Sequence, residues 1–481
     1  MDLIYDLLMK NKFFSLFVKF SFGGLISAAI SFFSTPIITA IILPEEFGKA
    51  SMFVLAFSFL LQLILMGSDQ SFVRFFYQDK FKDNPSLLLS NAVIGPLVAS
   101  FVSIIFIMIL WKPISIFLIG EPSFNVAILL SIILVFAVIE RFSTLMIRMS
   151  QKATLFSNLK IAQSLTNAVV VIMYAHFIEK SFMGIVYGSL VSIIIVAIIG
   201  VLFERKMWFR NVIFNKRDIG EVVKYGLPFI PTFIISWIFE GIDKMALRYY
   251  SNFNEIGLYT AASKIVAILT VLQITFSNFW VPIAYEAYEN SSEKSKKLFE
   301  NAYSGLSVIF FIGAILIITA KDIIIKLFAK DYLESADIMP FLVFMPIMYT
   351  LSEITVGGIN FKKKTYWHLV ISLLCTIINL IGVYLLVPRI GAKGAAISTG
   401  LAYIVFFYAR TIISNYYFSL DFKLSVTSSS IVILLVVALI NSFSKNDSLC
   451  YFIDFLGLVS ILVLYKNQLA VLYDTYLIKK E

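Results

Sequence analysis

Apolar runs of about twenty residues, broken by short polar interruptions, recur along almost the whole chain. A bilayer core about 30 Å thick is crossed by roughly 20 apolar residues in helical form, because a helix satisfies its own backbone polar groups inside hydrocarbon. The runs therefore predict an all-α polytopic membrane protein with about fourteen transmembrane helices. In order they lie near residues 14–43, 47–77, 86–110, 125–149, 153–177 and 182–203, then 222–250, 255–284, 298–320, 336–361, 366–387 and 394–418, and finally 424–442 and 449–465. The stretch after Lys10, Lys12 and Lys19 is long enough to span and reads as a retained first helix rather than a cleaved signal.

The polar interruptions set the orientation, because short cytoplasmic loops accumulate Lys and Arg. Alternate loops carry them: Arg74, Lys80 and Lys82; Arg148 and Lys152; Arg205, Lys206, Arg210, Lys216 and Arg217; Lys294, Lys296 and Lys297; Lys362, Lys363 and Lys364. An even helix count then places both termini in the cytoplasm. Segment 321–330 carries three lysines on the outer side and reads as an interfacial helix.

The basic loop between the sixth and seventh helices divides the chain into two six-helix lobes, 1–210 and 211–420, followed by two accessory helices and a short tail in 421–481. The lobes begin alike: Lys19, Gly23, Gly24, Pro36 and Glu46-Phe47-Gly48 are echoed by Lys224, Gly226, Pro228, Pro231 and Glu255-Ile256-Gly257. Repeated bundles with Pro- or Gly-interrupted helices are the architecture of alternating-access transporters, with the substrate site between the halves.

A charged side chain near a helix centre costs about 2.5 to 3.5 kcal/mol on insertion scales, so those present face a cavity or a partner. On the seventh helix Glu240, Asp243, Lys244 and Arg248 fall at i, i+3, i+4 and i+8, one face. The eighth aligns Thr260, Lys264, Thr275 and Asn278, with Lys264 deep in the hydrocarbon and within reach of Asp243 or Lys244. Ser58, Gln62 and Asp69 form a stripe on the second helix with Arg74 beyond it; Glu140, Arg141 and Arg148 lie on the fourth, and Glu353 on the tenth beside Gly357-Gly358. Two interpretations compete: a hydrated cavity for an anionic substrate, or ion pairs such as Glu240–Lys244 that fix helix packing, with Arg74, Arg141 and Arg148 snorkelling to headgroups.

Composition agrees, with 59% hydrophobic and 14% charged residues against about 25% charged in globular chains. The formal charge of +9 sits in loops and reads as a topology signal, so no nucleic-acid partner is expected. Cys375 and Cys450 fall in or beside apolar runs, and His176 and His368 are isolated, which leaves no disulfide framework or metal site. Neither a phosphate-cradling Gly-rich loop nor a His-Glu-x-x-His or Gly-x-Ser-x-Gly motif occurs, so ATP hydrolysis and enzyme chemistry are not expected.

Five segments carry a family resemblance: Gly67-Ser68-Asp69-Gln70-Ser71-Phe72-Val73-Arg74; Tyr225-Gly226-Leu227-Pro228-Phe229-Ile230-Pro231; Asp243-Lys244; Glu255-Ile256-Gly257-Leu258-Tyr259; and Pro388-Arg389-Ile390-Gly391-Ala392-Lys393-Gly394-Ala395-Ala396. With them the chain resembles the Wzx-like polysaccharide-biosynthesis flippases of the multidrug/oligosaccharidyl-lipid/polysaccharide exporter superfamily. The resemblance implies a MATE-like fold of two six-helix lobes rocking about a central cavity. It also implies a cytoplasmic (inner) membrane protein that moves undecaprenyl-diphosphate-linked oligosaccharide to the outer leaflet for O-antigen, capsule or exopolysaccharide assembly. Glycosyltransferases and a polymerase of the same pathway would be partners. Arg74, Lys244, Lys264, Arg148, Arg141 and Arg248 are then the candidate cavity residues, since cations in a low-dielectric chamber bind a diphosphate strongly. Asp69, Glu240, Asp243 and Glu353 are candidate coupling groups for Na⁺ or H⁺, with no other cofactor. The alternatives are an ion-coupled multidrug exporter of the same fold, whose site would favour negative charge, and a membrane glycan polymerase or ligase.

Overall fold

The computed structural model describes residues 22–209, 212–289, 293–466 and 468. Lys10, Lys12, Lys19 and Arg210 lie outside them, as do the side chains of Asn278 and Lys294. Every regular element among the described residues is helical, and thirteen stretches are long and apolar enough to cross a bilayer. They are α1 (Phe22–Thr39), α2 (Pro44–Leu65), α4 (Pro85–Ile109), α6 (Phe124–Met149), α7 (Ala153–Phe177), α8 (Met183–Phe203), joined α10 (Lys216–Gly226) and α11 (Ile230–Tyr250), α12 (Phe253–Glu289), α13 (Glu293–Thr319), joined α15 (Ser335–Leu342) and α16 (Phe344–Thr355), α18 (Tyr366–Tyr417), α19 (Leu424–Phe443) and α20 (Asp447–Leu464). Short helices α3 (Ser68–Phe75), α5 (Trp111–Ile119), α9 (Arg205–Phe209), α14 (Lys321–Ile325) and α17 (Gly357–Phe361) lie between them.

Helix α18 runs for 52 residues, about 78 Å at 1.5 Å per residue and more than twice a bilayer core. It is two spans meeting at Ile390 and Gly391, whose backbones leave the helical region. Gly391 adopts φ +55, and a Cβ there would lie 2.5 Å from Glu255 Oε2. That carboxylate accepts the Ala392 N–H at 2.7 Å and caps the second half of the helix. Two of the sequence segments singled out above thus meet in one turn. Counted this way, the thirteen stretches give the fourteen crossings that the apolar runs predict.

The chain forms two compact units, Met1–Trp237 and Ile238–Glu481, which divide inside α11. In the first unit α6 is the most enclosed span and packs against α2, α4 and α8. Small residues allow the close approach: a Cβ at Gly200 would lie 2.7 Å from Ser143, and one at Gly188 2.5 Å from Val171. Association inside lipid depends on such contacts, because hydrocarbon offers no hydrophobic force between helices. Phe101, Ile105 and Ile109 of α4 remain exposed, as suits a lipid-facing stripe.

The second helix expected over 47–77 is instead α2 and α3, separated by left-handed Met66 (φ 50) and Gly67 (φ 68). Packing is the reason, since a Cβ on Gly67 would stand 2.3 Å from the Gly226 carbonyl oxygen. Asp69 therefore leaves the stripe of Ser58 and Gln62, and Ser58 Oγ accepts from Trp237 Nε1 at 3.1 Å. Helix α10 is held to this corner: Ser71 Oγ donates to the Val222 carbonyl at 2.7 Å, and Lys80 Nζ meets Asp218 at 2.5 Å and Glu221 at 3.1 Å. The bond to Asp218 raises the Lys80 ammonium above 10.5. The stability that its raised value contributes is present through the neutral range and is lost as pH rises past that value.

In the second unit α15 and α16 form the most enclosed span and pack against α12, α13, α18 and α19. The expected helix over 336–361 is divided into α15, α16 and α17. The accessory hairpin of α19 and α20 packs against α13 and α15.

Candidate functional site

Asp69 opens α3, on the turn that Gly67 creates, and is buried. Its Oδ2 accepts from Arg141 Nη2 at 2.6 Å and Nε at 3.2 Å, and from Gln70 Nε2 at 3.0 Å, whereas Oδ1 has no hydrogen-bond partner among the described residues. Arg141 keeps 40% of its side chain exposed while making this pair. Arg148, two turns along α6, is exposed and near enough to Arg141 and Asp69 to interact electrostatically. Arg74 is also exposed, and neither Arg74 nor Arg148 makes an ion pair among the described residues. Glu140 instead meets Lys160 at 3.5 Å. The first unit thus presents cations in excess of the carboxylate that anchors them.

In the second unit, the face of α11 separates into distinct environments. Asp243 is buried, and its carboxylate accepts from Tyr259 at 2.7 Å, Thr399 at 2.6 Å and Asn379 at 3.3 Å. The three donors come from α12 and from both halves of α18, so this carboxyl ties the core together. Asn379 Oδ1, beside it, is buried without a hydrogen-bond partner among the described residues. These oxygens suit a hard monovalent cation far better than a transition metal. Among the described residues no group of three or more His, Cys, Asp or Glu gathers as a metal site.

Lys244 takes no part in that network. It lies close enough to Lys264 for the two cations to repel, and neither makes an ion pair or hydrogen bond among the described residues. Lys264 stands about 16 Å from the start of α12, well inside the span. It is exposed, whereas Ala261, Ala262, Ile265 and Val266 around it are buried. An ammonium at that depth needs water or an anion. The expected contact between Lys264 and Asp243 is not made, because Tyr259, Thr399 and Asn379 already fill the carboxylate.

The Glu240–Lys244 pair is likewise not formed; Glu240 is exposed near Tyr349 and Tyr403. Arg248 lays its guanidinium over the Phe253 ring at 4.5 Å. Glu353 is paired with Arg410 at 2.9 Å, and Arg410 Nη1 also reaches Ser352 Oγ at 2.8 Å. Arg410 is 5% exposed and absent from the sequence-derived candidates. A lone Arg within an otherwise apolar run was the signal for it, with the unmatched Glu353 as its complement. Thr260 and Thr275 return their hydroxyls to their own helix backbone at 2.7 and 2.8 Å. Cys375 and Cys450 are free and buried, and His368 Nε2 bonds Asn360 Oδ1 at 2.7 Å.

Fourteen crossings among the described residues, carrying cations exposed on spanning helices, define a polytopic membrane protein. Residues 17–287, more than half of the chain, match the family described as polysaccharide biosynthesis protein, and the chain belongs to that family. Its fold is similar to that of the lipid II flippase MurJ in an inward closed conformation, with a TM-score of 0.70 and 15% identity over 95% of this chain and 99% of that one. An inward-facing MATE family transporter of the MOP superfamily follows, with a TM-score of 0.61 and 16% identity over 81% of this chain and 94% of that one. An uncharacterized membrane protein, MJ1068 of Methanocaldococcus jannaschii, is 24% identical over 243 residues, which cover 49% of this chain and 48% of that protein.

Proposed function

We propose that the protein is a flippase that carries an undecaprenyl-diphosphate-linked oligosaccharide from the cytoplasmic to the outer leaflet by alternating access. It would work in the cytoplasmic membrane, between the glycosyltransferases that build the repeat unit and the polymerase that joins it. The observation that carries this is the Lys244–Lys264 pair: two neighbouring ammoniums on spanning helices, neither in an ion pair among the described residues, with Asp243 near Lys244 but already hydrogen-bonded to Tyr259, Thr399 and Asn379. A diphosphate supplies the missing negative charge, and charge-assisted hydrogen bonds to its oxygens strengthen where water is scarce. Arg74, Arg141 and Arg148 are the matching cations of the first unit. The family described as polysaccharide biosynthesis protein and the likeness to a lipid II flippase support a lipid-linked sugar as cargo.

Asp243 is the preferred coupling group for Na⁺ or H⁺, since its carboxylate stands among oxygen ligands drawn from two helices. A multidrug exporter is less well supported, because two of the acids that could receive a cationic drug are occupied by Arg141 and Arg410. Complementation of a strain lacking its own flippase tests the proposal. Lys244→Ala and Lys264→Ala should each abolish surface glycan with protein levels unchanged, while Arg248→Ala should retain export. Normal export by the double lysine variant would remove the pair from the site. Lower dye accumulation in cells expressing the wild type would favour the drug exporter.

A further inference from the structure

Away from these groups, the end of the accessory hairpin that meets α13 and α14 encloses a second ionisable cluster. Three carboxylates, Asp322, Asp337 and Asp454, share it with two ammoniums, Lys321 and Lys393. Both ammoniums are committed elsewhere: Lys321 lies 3.0 Å from Asp322 and 3.6 Å from Asp337, and Lys393 lies 3.0 Å from Asp337 and donates to the Ser442 carbonyl at 2.8 Å. Asp454 is left without a salt bridge among the described residues and is 2% exposed. As the eighth residue of α20 it sits about 10 Å along the helix, inside the hydrocarbon span.

Its carboxyl is half satisfied. Oδ1 accepts from Asn441 Nδ2 at 2.6 Å, while Oδ2 is buried with no hydrogen-bond partner among the described residues. The Thr319 hydroxyl lies beside the same carboxyl, but donates its own hydrogen to the Ile315 carbonyl at 2.9 Å. With its hydrogen on Ile315, the Thr319 oxygen offers Asp454 a lone pair; turned toward the carboxylate, the same hydroxyl is a donor. The other ionisable groups facing Asp454 are Lys321, Asp322 and, one turn back on the same helix, Cys450. One negative charge too many, an orphaned carboxylate oxygen and a neighbouring acceptor together ask for one small cation. We propose that Asp454, with Asn441 and Thr319, binds a monovalent cation, a proton or Na⁺, at a site in the accessory hairpin separate from Asp243. A proton on Oδ2 would donate to the Thr319 oxygen; Na⁺ would bridge the two.

Full-length protein in nanodiscs tests this, with thermal unfolding in NaCl against KCl and infrared detection of the carboxylic-acid C=O stretch at neutral pH. The Asp243→Asn background removes the other candidate carboxyl. If Na⁺ is the ligand, Na⁺ raises Tm in that background and the added Asp454→Asn abolishes the shift. If a proton is the ligand, Tm ignores Na⁺ and Asp454→Asn removes a carboxylic-acid band present in the parent. Should the Asp454 variant fail to fold, Thr319→Val serves instead: it must abolish the Na⁺ shift or move the acid band. A parent with neither a Na⁺ shift nor such a band overturns the proposal.

Discussion

Arg410 and Lys264 are both cations sunk in apolar helices, yet they stand in opposite circumstances. Arg410 meets Glu353 and Ser352 and lies against the Phe406 and Tyr349 rings, whereas Lys264 is exposed without an ion pair among the described residues. Removing one partner of a buried pair leaves an uncompensated charge, which costs on the order of 3–5 kcal/mol. Arg410→Ala should therefore lower Tm markedly in detergent, and the double change Glu353→Gln with Arg410→Met should restore much of the loss. Lys264→Ala should leave Tm unchanged or raise it, because it relieves repulsion with Lys244. Equal losses for Arg410→Ala and Lys264→Ala would show that the lysine, too, holds the fold.

At the scale of elements, chain breaks determine where the charges point. The Met66–Gly67 turn separates α3 from α2 and brings Asp69 to Arg141, while α10 is tied to the same corner. Gly67→Ala would combine a left-handed backbone with a Cβ 2.3 Å from a carbonyl oxygen, a strain that surrounding structure must absorb. It should sharply reduce the yield of folded protein, whereas Gly24→Ala and Gly220→Ala, whose added Cβ meets nothing within 4 Å, should not. Size-exclusion profiles of the three variants make the comparison; a normal Gly67→Ala profile would mean that the α2–α3 turn is dispensable. The glycine in the motif was visible in the sequence, but its contact with Gly226 was not, since 159 positions separate them.

For the whole molecule, the alternating distribution of Lys and Arg predicts which loops face the cytoplasm. In a cysteine-free background, single cysteines at Lys206 and Lys363 should be labelled only from the cytoplasmic side, and those at Glu121 and Ser251 only from outside. Labelling of Lys206 from outside would invert the orientation and the direction of transport proposed with it. The two native cysteines are buried, so replacing them should disturb surface labelling little.

The crossings were legible because insertion is a local matter: about twenty neighbouring residues determine whether a segment prefers hydrocarbon. The same local balance makes each embedded charge conspicuous, which is why Asp69, Asp243, Lys244, Lys264 and Glu353 could be singled out from the chain alone. Which charge meets which partner was decided only by tertiary packing. Asp69 finds Arg141, Glu353 finds Arg410, Glu255 caps the break at Gly391, and Asp243 takes Tyr259, Thr399 and Asn379 rather than either lysine. Those choices depend on how helices far apart in sequence approach one another, and helical periodicity fixes a side chain's face without fixing what that face will meet.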